Sequence, residues 1–224
     1  MNYSIIIPIY NEGVILPELI KRLNDLSENY QIIIINDGSN DTTEKILSNQ
    51  TRFHILKNKK NRGKGYSIRK GITKALYENI ILIDGDLEIN VSDIPNFIKI
   101  FEKNKCKTLL GCRWYEKKIS LRPELIGNFL LNTIFNVLFN TKHYDVLCCL
   151  KIIKKDILES LKIESNGFNI EVEILSKICL KKIETIQFLV DYNRRSSDQG
   201  KKIKFSDGFK ILSKIIKLRI TSIF

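Results

Sequence analysis

The sequence predicts an α/β fold: a mostly parallel central sheet flanked by helices. Three observations carry this. Short, continuously apolar runs recur through the first half, as strands covered on both faces do. Helical patterns separate these runs, which is the alternation of βαβ units. Two of the runs end in Asp-Gly turns, at the strand ends where open α/β sheets bind ligands.

The elements follow in order. Tyr3-Ser4-Ile5-Ile6-Ile7-Pro8 is a β-rich run stopped by proline, and Val14 to Leu26 has helical spacing. Gln31 to Asn36 is a second buried strand, turned by Asp37-Gly38-Ser39. Asp41-Thr42-Thr43 opens another helix, with Asp41 as its cap. Phe53 to Leu56 is a third strand and Ser67 to Tyr77 a helix. Asn79 to Ile83 is a fourth strand, ending in Asp84-Gly85-Asp86. Leu109-Leu110-Gly111 ends a further strand. From Leu125 to Thr141 no charge occurs, and Asn128, Asn132, Asn136 and Asn140 recur every fourth residue. That spacing makes a polar stripe on a helix with a broad apolar face. The stripe reads as a membrane-interface helix, as a homodimer contact, or as ordinary packing on the core.

Length and composition bound the rest. The 224 residues suit one domain with an extension, placed at residues 1–198 and 199–224. Hydrophobic residues at 43% and charged residues at 28% exclude wholesale disorder. No apolar run reaches the ~18 residues of a membrane span, and the first residues do not read as a signal peptide. The expected location is cytoplasmic, with peripheral attachment to a membrane face. A net charge of +12 predicts an anionic partner. No zinc-finger, RRM or KH pattern accompanies it, so nucleic acid is not the expected partner. Five Cys without CxxC spacing argue against a disulfide framework and against zinc, and two His exclude chemistry that needs several.

Three constellations carry chemistry. Asp84-Gly85-Asp86 places two carboxylates at a strand end, which suits a hard divalent cation sharing its shell with phosphates and water. Glu88 adds a third carboxylate nearby. From Thr51 to Lys74 there are nine Lys or Arg and no acid, with Asn61-Arg62-Gly63-Lys64-Gly65 inside. Glycines among cations let backbone approach phosphate closely. From Gln199 onward seven Lys or Arg face one Asp, and Phe209, Leu212, Ile215, Ile216 and Ile220 interleave at helical spacing. A basic amphipathic helix of this kind reads as an element for anionic membrane surfaces.

Taken in order, these segments resemble the family 2 glycosyltransferases of the GT-A fold. They are Ile6-Ile7-Pro8-Ile9-Tyr10-Asn11-Glu12, Ile35-Asn36-Asp37-Gly38-Ser39-Asn40-Asp41, Asn61 to Gly65, and Leu82 to Leu87. Three later segments resemble the polyprenyl-phosphate (dolichyl-phosphate) branch. Asp145-Val146-Leu147-Cys148-Cys149-Leu150-Lys151 is similar to its D-x-x-C-G-x-K segment. Gly167 to Glu173 is similar to its F-x-x-E/D-x-E segment. Tyr192-Asn193-Arg194 with Gly200-Lys201-Lys202-Ile203 and Asp207-Gly208 is similar to its C-terminal stretch. Cys149 stands where that branch has Gly, and Glu88 where mannosyl members often have Gln.

The resemblance implies a Rossmann-like nucleotide-sugar fold with C-terminal amphipathic helices. It also implies roles. Pro8, Tyr10, Glu12 and Asp37 would line the base and ribose. Lys64 would sit near the nucleotide and its phosphates. Asp84 and Asp86 would hold Mg²⁺ or Mn²⁺ on the diphosphate. Arg113, Arg194, Lys201 and Lys202 would meet donor or acceptor phosphates. The implied reaction is inverting transfer from a nucleotide sugar to polyprenyl phosphate. UDP-glucose is the favoured donor, because Asp145…Cys148…Lys151 looks most like the glucosyl branch; GDP-mannose is the other. The alternative is extension of a surface polysaccharide or other glycan. A sugar hydroxyl acceptor would need a carboxylate base, for which Asp145 and Glu173 are the candidates.

Overall fold

The computed structural model describes residues 2–26, 28–114, 123–195 and 205–222. Seven strands make one sheet: β1 (Tyr3–Ile9), β2 (Tyr30–Asn36), β3 (His54–Lys57), β4 (Asn79–Leu82), β5 (Thr108–Cys112), β6 (Lys151–Lys154) and β7 (Ile186–Leu189). Their spatial order is β3-β2-β1-β4-β6-β5-β7. The strands β1 to β4 run parallel, β6 is antiparallel to both neighbours, and β7 is parallel to β5. One strand therefore enters the sheet at the edge where the others leave it. Leu82, the last residue of β4, pairs with Lys151, the first of β6.

Among the described residues eight α-helices accompany the sheet: α1 (Leu16–Asn24), α2 (Thr43–Ser48), α3 (Lys64–Ile72), α4 (Ile94–Asn104), α5 (Pro123–Phe139), α6 (Lys155–Ser160), α7 (Ile170–Leu180) and α8 (Phe205–Thr221). On one face Ile5, Ile7 and Ile9 of β1 pack with Leu16, Leu19 and Leu23 of α1 and Phe97 and Phe101 of α4. On the other, Ile6, Ile33, Ile35 and Ile80 pack with Ile68 of α3 and Ile174 and Ile178 of α7. Successive β1 side chains thus serve opposite cores, which is why the strand reads as unbroken isoleucine. A third cluster joins Leu131 and Phe135 of α5, Val172 and Leu175 of α7, and Ile211 and Ile215 of α8. The predicted boundary at 198/199 lies outside the described residues, but α8 beyond it is packed on the body of the domain.

Several expectations shift. The third helix covers Lys64–Ile72, not Ser67 to Tyr77. Its C-terminal end is set from the sheet. The Leu76 N–H donates to Gln31 Oε1 and the Tyr77 N–H to Ser4 Oγ, so side chains of β2 and β1 take the donors that a longer helix would use. The first helix begins at Leu16 rather than Val14. The Glu12 carbonyl accepts the N–H groups of Ile15 and Leu16, and Val14 is left 95% exposed in the turn. Asp41 does accept the Thr43 N–H at 3.0 Å, and it also accepts the Gly13 N–H at 2.9 Å, tying two loops together.

Two residues of the Asn stripe, Asn132 and Asn136, bond inward, whereas Asn140 is exposed. Asn132 and Asn136 both donate to the His143 carbonyl. Asn132 accepts the Val146 N–H, and Asn136 accepts the His143 N–H and the Thr141 hydroxyl. These two amides therefore shape the 141–146 loop. Among the described residues no helix is long and apolar enough to cross a membrane.

Candidate active site

One edge of the sheet gathers nearly every polar residue that the sequence singles out. It is the edge where β1, β2, β4, β5 and β7 end and β6 begins. Pro8 and Tyr10 lie there, half-buried, at the end of β1. Glu12 and Asp37 follow β1 and β2 and are 7% and 3% exposed.

Asp37 organises the loop before α3. Its Oδ1 accepts from Asn58 Nδ2 at 2.7 Å and from the Arg62 N–H at 2.9 Å; its Oδ2 accepts the Gly63 N–H at 2.7 Å. Gly63 has φ +92°, a conformation that suits only glycine without strain. A Cβ on Gly63 would lie 2.4 Å from the Asn166 carbonyl oxygen, and one on Gly65 would lie 2.2 Å from that of Ser165. The Asn166 carbonyl accepts the N–H groups of Gly65 and Tyr66 at 2.7 and 3.2 Å. The sequence reading gave these glycines to phosphate approach. Here they bring one loop of the chain against another.

A buried chain of alternating charges runs from that loop. Lys64 Nζ lies 2.7 Å from Asp84 and 2.7 Å from Glu171. The second oxygen of Glu171 meets the Lys151 ammonium, which also donates to the Cys148 carbonyl. Burial opposes charge on Lys64, but the Asp84 and Glu171 carboxylates outweigh it and hold the ammonium well above its ordinary range. Burial likewise opposes charge on Glu171, and Lys151 and Lys64 overcome it. Sequence reasoning missed Glu171 and Lys151 as site residues, although both lie in quoted motifs.

Like charges crowd the carboxylate end. Burial raises the Asp86 carboxyl, and the charges of Asp84 and Glu88 raise it further, to about 7. The Arg195 guanidinium opposes this from 3.4 Å. The same guanidinium forks onto Glu12, at 2.9 and 3.3 Å. Arg195 thus reaches these carboxylates, and Arg194 is half-buried beside it. Glu88 anchors the segment. It accepts the Tyr192 hydroxyl at 3.0 Å and the Arg195 N–H at 3.2 Å, and its carbonyl accepts the Asn193 N–H. Lys201 and Lys202 lie outside the described residues.

This electrostatics fits a divalent cation. Among the described residues the carboxylates of Glu12, Asp84, Asp86 and Glu88 gather here, with Lys64 paired to Asp84 and Arg195 to Glu12 and Asp86. Among the described residues no three His, Cys, Asp or Glu form a closed ligand set. Asp84 and Asp86 would thus supply one or two ligands, leaving the rest to phosphate and water, as Mg²⁺ sites commonly do.

Arg113 and Asp145 form a bidentate pair. Nε and Nη2 of Arg113 donate to the two Asp145 oxygens at 2.6 and 2.9 Å, and the Arg113 N–H adds a third bond at 3.1 Å. The guanidinium lies 4.5 Å from the Trp114 ring centre and 5.1 Å from that of Tyr192. Two rings thereby offer π-density to the ion.

Glu173 is placed elsewhere. It is 0% exposed and accepts the N–H groups of Glu164 and Ser165, with Lys177 at 2.6 Å and Lys214 at 3.2 Å. Burial works against its charge, but the bonds from Lys177 and Ser165 prevail and bring its pKa to about 2. Its partners belong to α7, α8 and the 164–165 loop. The base role anticipated for Glu173 does not match this setting.

Comparison with known proteins agrees with this geometry. Residues 4–162 match the model of glycosyl transferase family 2. A dolichyl-phosphate β-glucosyltransferase of Dictyostelium discoideum is 27% identical over 96% of this chain and 73% of its own length. A dolichol-phosphate mannosyltransferase of Pyrococcus furiosus is 27% identical over 97% of this chain, which spans 64% of that protein. Among solved structures, glucosyl-3-phosphoglycerate synthase of Mycobacterium tuberculosis, in complex with Mn²⁺, UDP and phosphoglyceric acid, superposes with a TM-score of 0.74. That match covers 97% of this chain and 78% of the other at 14% identity, and so speaks for the GT-A fold. With the family matched across most of its length and the polar residues gathered at one sheet edge, the chain belongs to glycosyl transferase family 2 and is a glycosyltransferase.

Proposed function

We propose that this enzyme moves a sugar from a nucleotide sugar, UDP-glucose in the favoured case, to the phosphate of a polyprenyl phosphate, with inversion. The observation that carries the reading is the state of the two carboxylates that a hydroxyl acceptor would need. Asp145 is tied up by three bonds from Arg113, and Glu173 by four donors away from the site. A phosphate monoester brings its own charge, ~1.5–2 negative at neutral pH, and needs no strong base. The similarity to lipid-phosphate sugar transferases supports the same acceptor class.

In the proposed step a phosphate oxygen attacks the anomeric carbon from the side opposite the nucleotide. The bond from that carbon to the diphosphate oxygen breaks, and its electron pair leaves with the nucleoside diphosphate. No proton has to move. Asp37, Glu12, Pro8 and Tyr10 would line the base and ribose. Lys64 places a fixed positive charge beside Asp84, and Arg113, Arg194 and Arg195 add cations for the phosphates. Asp84 and Asp86 would hold Mg²⁺ or Mn²⁺, which when bound would stabilise charge on the leaving diphosphate.

The test is a transfer assay with polyprenyl phosphate in detergent and a panel of labelled nucleotide sugars, with Mg²⁺ or chelator. Metal-dependent label in the organic phase supports the reading and identifies the donor. Label moving only to a soluble sugar acceptor would overturn it.

A further inference from the structure

We propose that Arg195 is a built-in competitor of the divalent cation: its guanidinium contends with the metal for the Asp86 carboxylate, and so makes tight metal binding depend on the nucleotide. The inference rests on the metal and nucleotide-sugar reading above. It adds to that reading a residue that lies outside the quoted motifs.

Both metal carboxylates carry a cation of the chain. Lys64 Nζ lies 2.7 Å from Asp84 Oδ1 and 2.8 Å from Oδ2. It is also 2.7 Å from Glu171, so it is held from two sides in the buried chain. On Asp86, Oδ1 accepts the Glu88 N–H at 3.1 Å, and Oδ2 lies 3.4 Å from Arg195 Nη2. Of these two neighbours of Asp86, the side chain is the one that can turn away. Arg195 has a partner to turn to. Its fork onto Glu12, at 2.9 and 3.3 Å, is closer than its contact with Asp86. A metal on Asp86 therefore contends with the weaker of the two contacts.

The backbone keeps the guanidinium within reach. Residues 192–195 are pinned along 88–89. Ile89 and Tyr192 form an antiparallel bridge, and the Glu88 carbonyl accepts the Asn193 N–H. The Glu88 carboxylate accepts the Tyr192 hydroxyl and the Arg195 N–H. The Arg195 side chain is 11% exposed and that of Asp86 22%, so water screens their contact little. A dication on Asp86 would meet the guanidinium as a like charge at close range. Glu12 would line the ribose, so one guanidinium spans a nucleotide carboxylate and a metal carboxylate. A diphosphate entering beside them offers that guanidinium a new anion to fork onto. Displacement from Asp86 then costs less when nucleotide is present, and by linkage the metal tightens the nucleotide by the same factor.

The experiment measures Mn²⁺ binding to the full chain from the paramagnetic resonance of free Mn²⁺, first alone and then with UDP or GDP. Arg195→Gln should bind Mn²⁺ alone about tenfold more tightly than wild type, an ordinary size for coupling between two sites. With nucleotide the two should converge, so nucleotide raises Mn²⁺ affinity less in the variant by that same factor. Arg195→Lys keeps the charge but meets one carboxylate at a time, and should fall between them. A gain in affinity is not what a damaged site gives. Thermal unfolding beside the titrations identifies a variant that has lost its fold; if Arg195→Gln has, Arg195→Lys decides. Equal or weaker Mn²⁺ binding by the folded variant overturns the competition and leaves the metal reading standing. Tighter binding with an unchanged nucleotide effect would make Arg195 a fixed background charge, and overturns the proposal as well. No Mn²⁺ binding by wild type with either nucleotide overturns the metal reading itself.

Discussion

The buried Lys64–Glu171–Lys151 chain makes a quantitative demand. Glu171 is 5% exposed and Lys151 2%. Glu171→Gln keeps the shape of the side chain and removes its charge. Lys64 would retain Asp84, but Lys151 would keep only the Cys148 carbonyl, and the two ammonium groups would face each other across a neutral amide. Breaking a buried ion pair in this way costs about 3–5 kcal/mol. In a chain of this size that lowers the melting temperature by roughly 6–20 °C, at about 2–4 °C per kcal/mol. The assay is urea unfolding followed by far-ultraviolet circular dichroism, with a double-mutant cycle built from Glu171→Leu, Lys151→Met and their combination run beside the Gln variant. Glu171→Leu/Lys151→Met restores neutrality inside the fold, and apolar replacements of buried pairs are often close to neutral. The double variant should therefore be more stable than either single one. Refutation would be a Gln variant within about 1 kcal/mol of wild type, or strict additivity in the cycle. Either would mean that water reaches the chain and that Glu171 does not hold Lys64.

Three further outcomes follow from the same geometry. Asp86→Asn should lower transfer by roughly 10²–10³-fold, the scale of losing one electrostatic stabiliser, while the melting temperature holds or rises as a like-charge contact is removed; steady-state kinetics beside thermal unfolding would show it, and full activity would end the metal-ligand role. Gly65→Ala drives a Cβ to 2.2 Å from the Ser165 oxygen, so the 61–65 loop must move off the 164–167 loop; nucleotide affinity by calorimetry should fall with it, whereas Gly127→Ala, which meets nothing within 4 Å, should be silent. Stability should fall on acidification in two windows. Burial depresses the His143 pKa to about 4, so the unfolded chain takes the proton first and stability declines as pH drops from 6.5 to about 4. Glu173 is held at about 2 against an ordinary 4.5, so its contribution of about 3 kcal/mol declines between those values. Equilibrium unfolding against pH should lose the upper slope in His143→Phe and the lower one in Glu173→Gln.

What could be read from the sequence divides along physical lines. Strands β1, β2 and β4 were legible because burial on both faces writes them around short runs of consecutive isoleucine. Their C-terminal edge was legible because Asp37, Asp84 and Asp86 stand immediately after them. Strand β6, Lys-Ile-Ile-Lys, carries no such signal: four residues with lysine at both ends read as surface, yet three are buried between β4 and β5. Lys151 could be assigned only once Leu82 was seen beside it in the sheet. The choice between Glu171 and Glu173 is similar. Two residues apart on a helix they point to different sides, and which side meets Lys64 depends on how α7 docks. Arg195 is the same problem in a loop, where a register one residue away from the Tyr-x-Arg pattern sends the next guanidinium to Glu12 and Asp86.

The motif residues also do two jobs that a loss of activity would not separate. Asp37 grips the N–H groups of Arg62 and Gly63, the Asn166 carbonyl grips those of Gly65 and Tyr66, and Glu173 grips those of Glu164 and Ser165. Lys64 lies between the first two grips, and the third fixes the loop that makes the second. A loop with glycine at two of five positions would otherwise sample many conformations. Three carbonyl and carboxylate anchors remove that freedom before any donor arrives, and leave the Lys64 ammonium fixed at Asp84 and Glu171. Positioning of this kind lowers the barrier by settling orientation in advance. An inactive Asp37 or Glu173 variant therefore does not mark either carboxylate as a group that touches substrate. A variant that relaxes only the anchors should be partly rescued by the conservative exchange between Asp and Glu or Asn; a variant that removes a ligand of the donor should not.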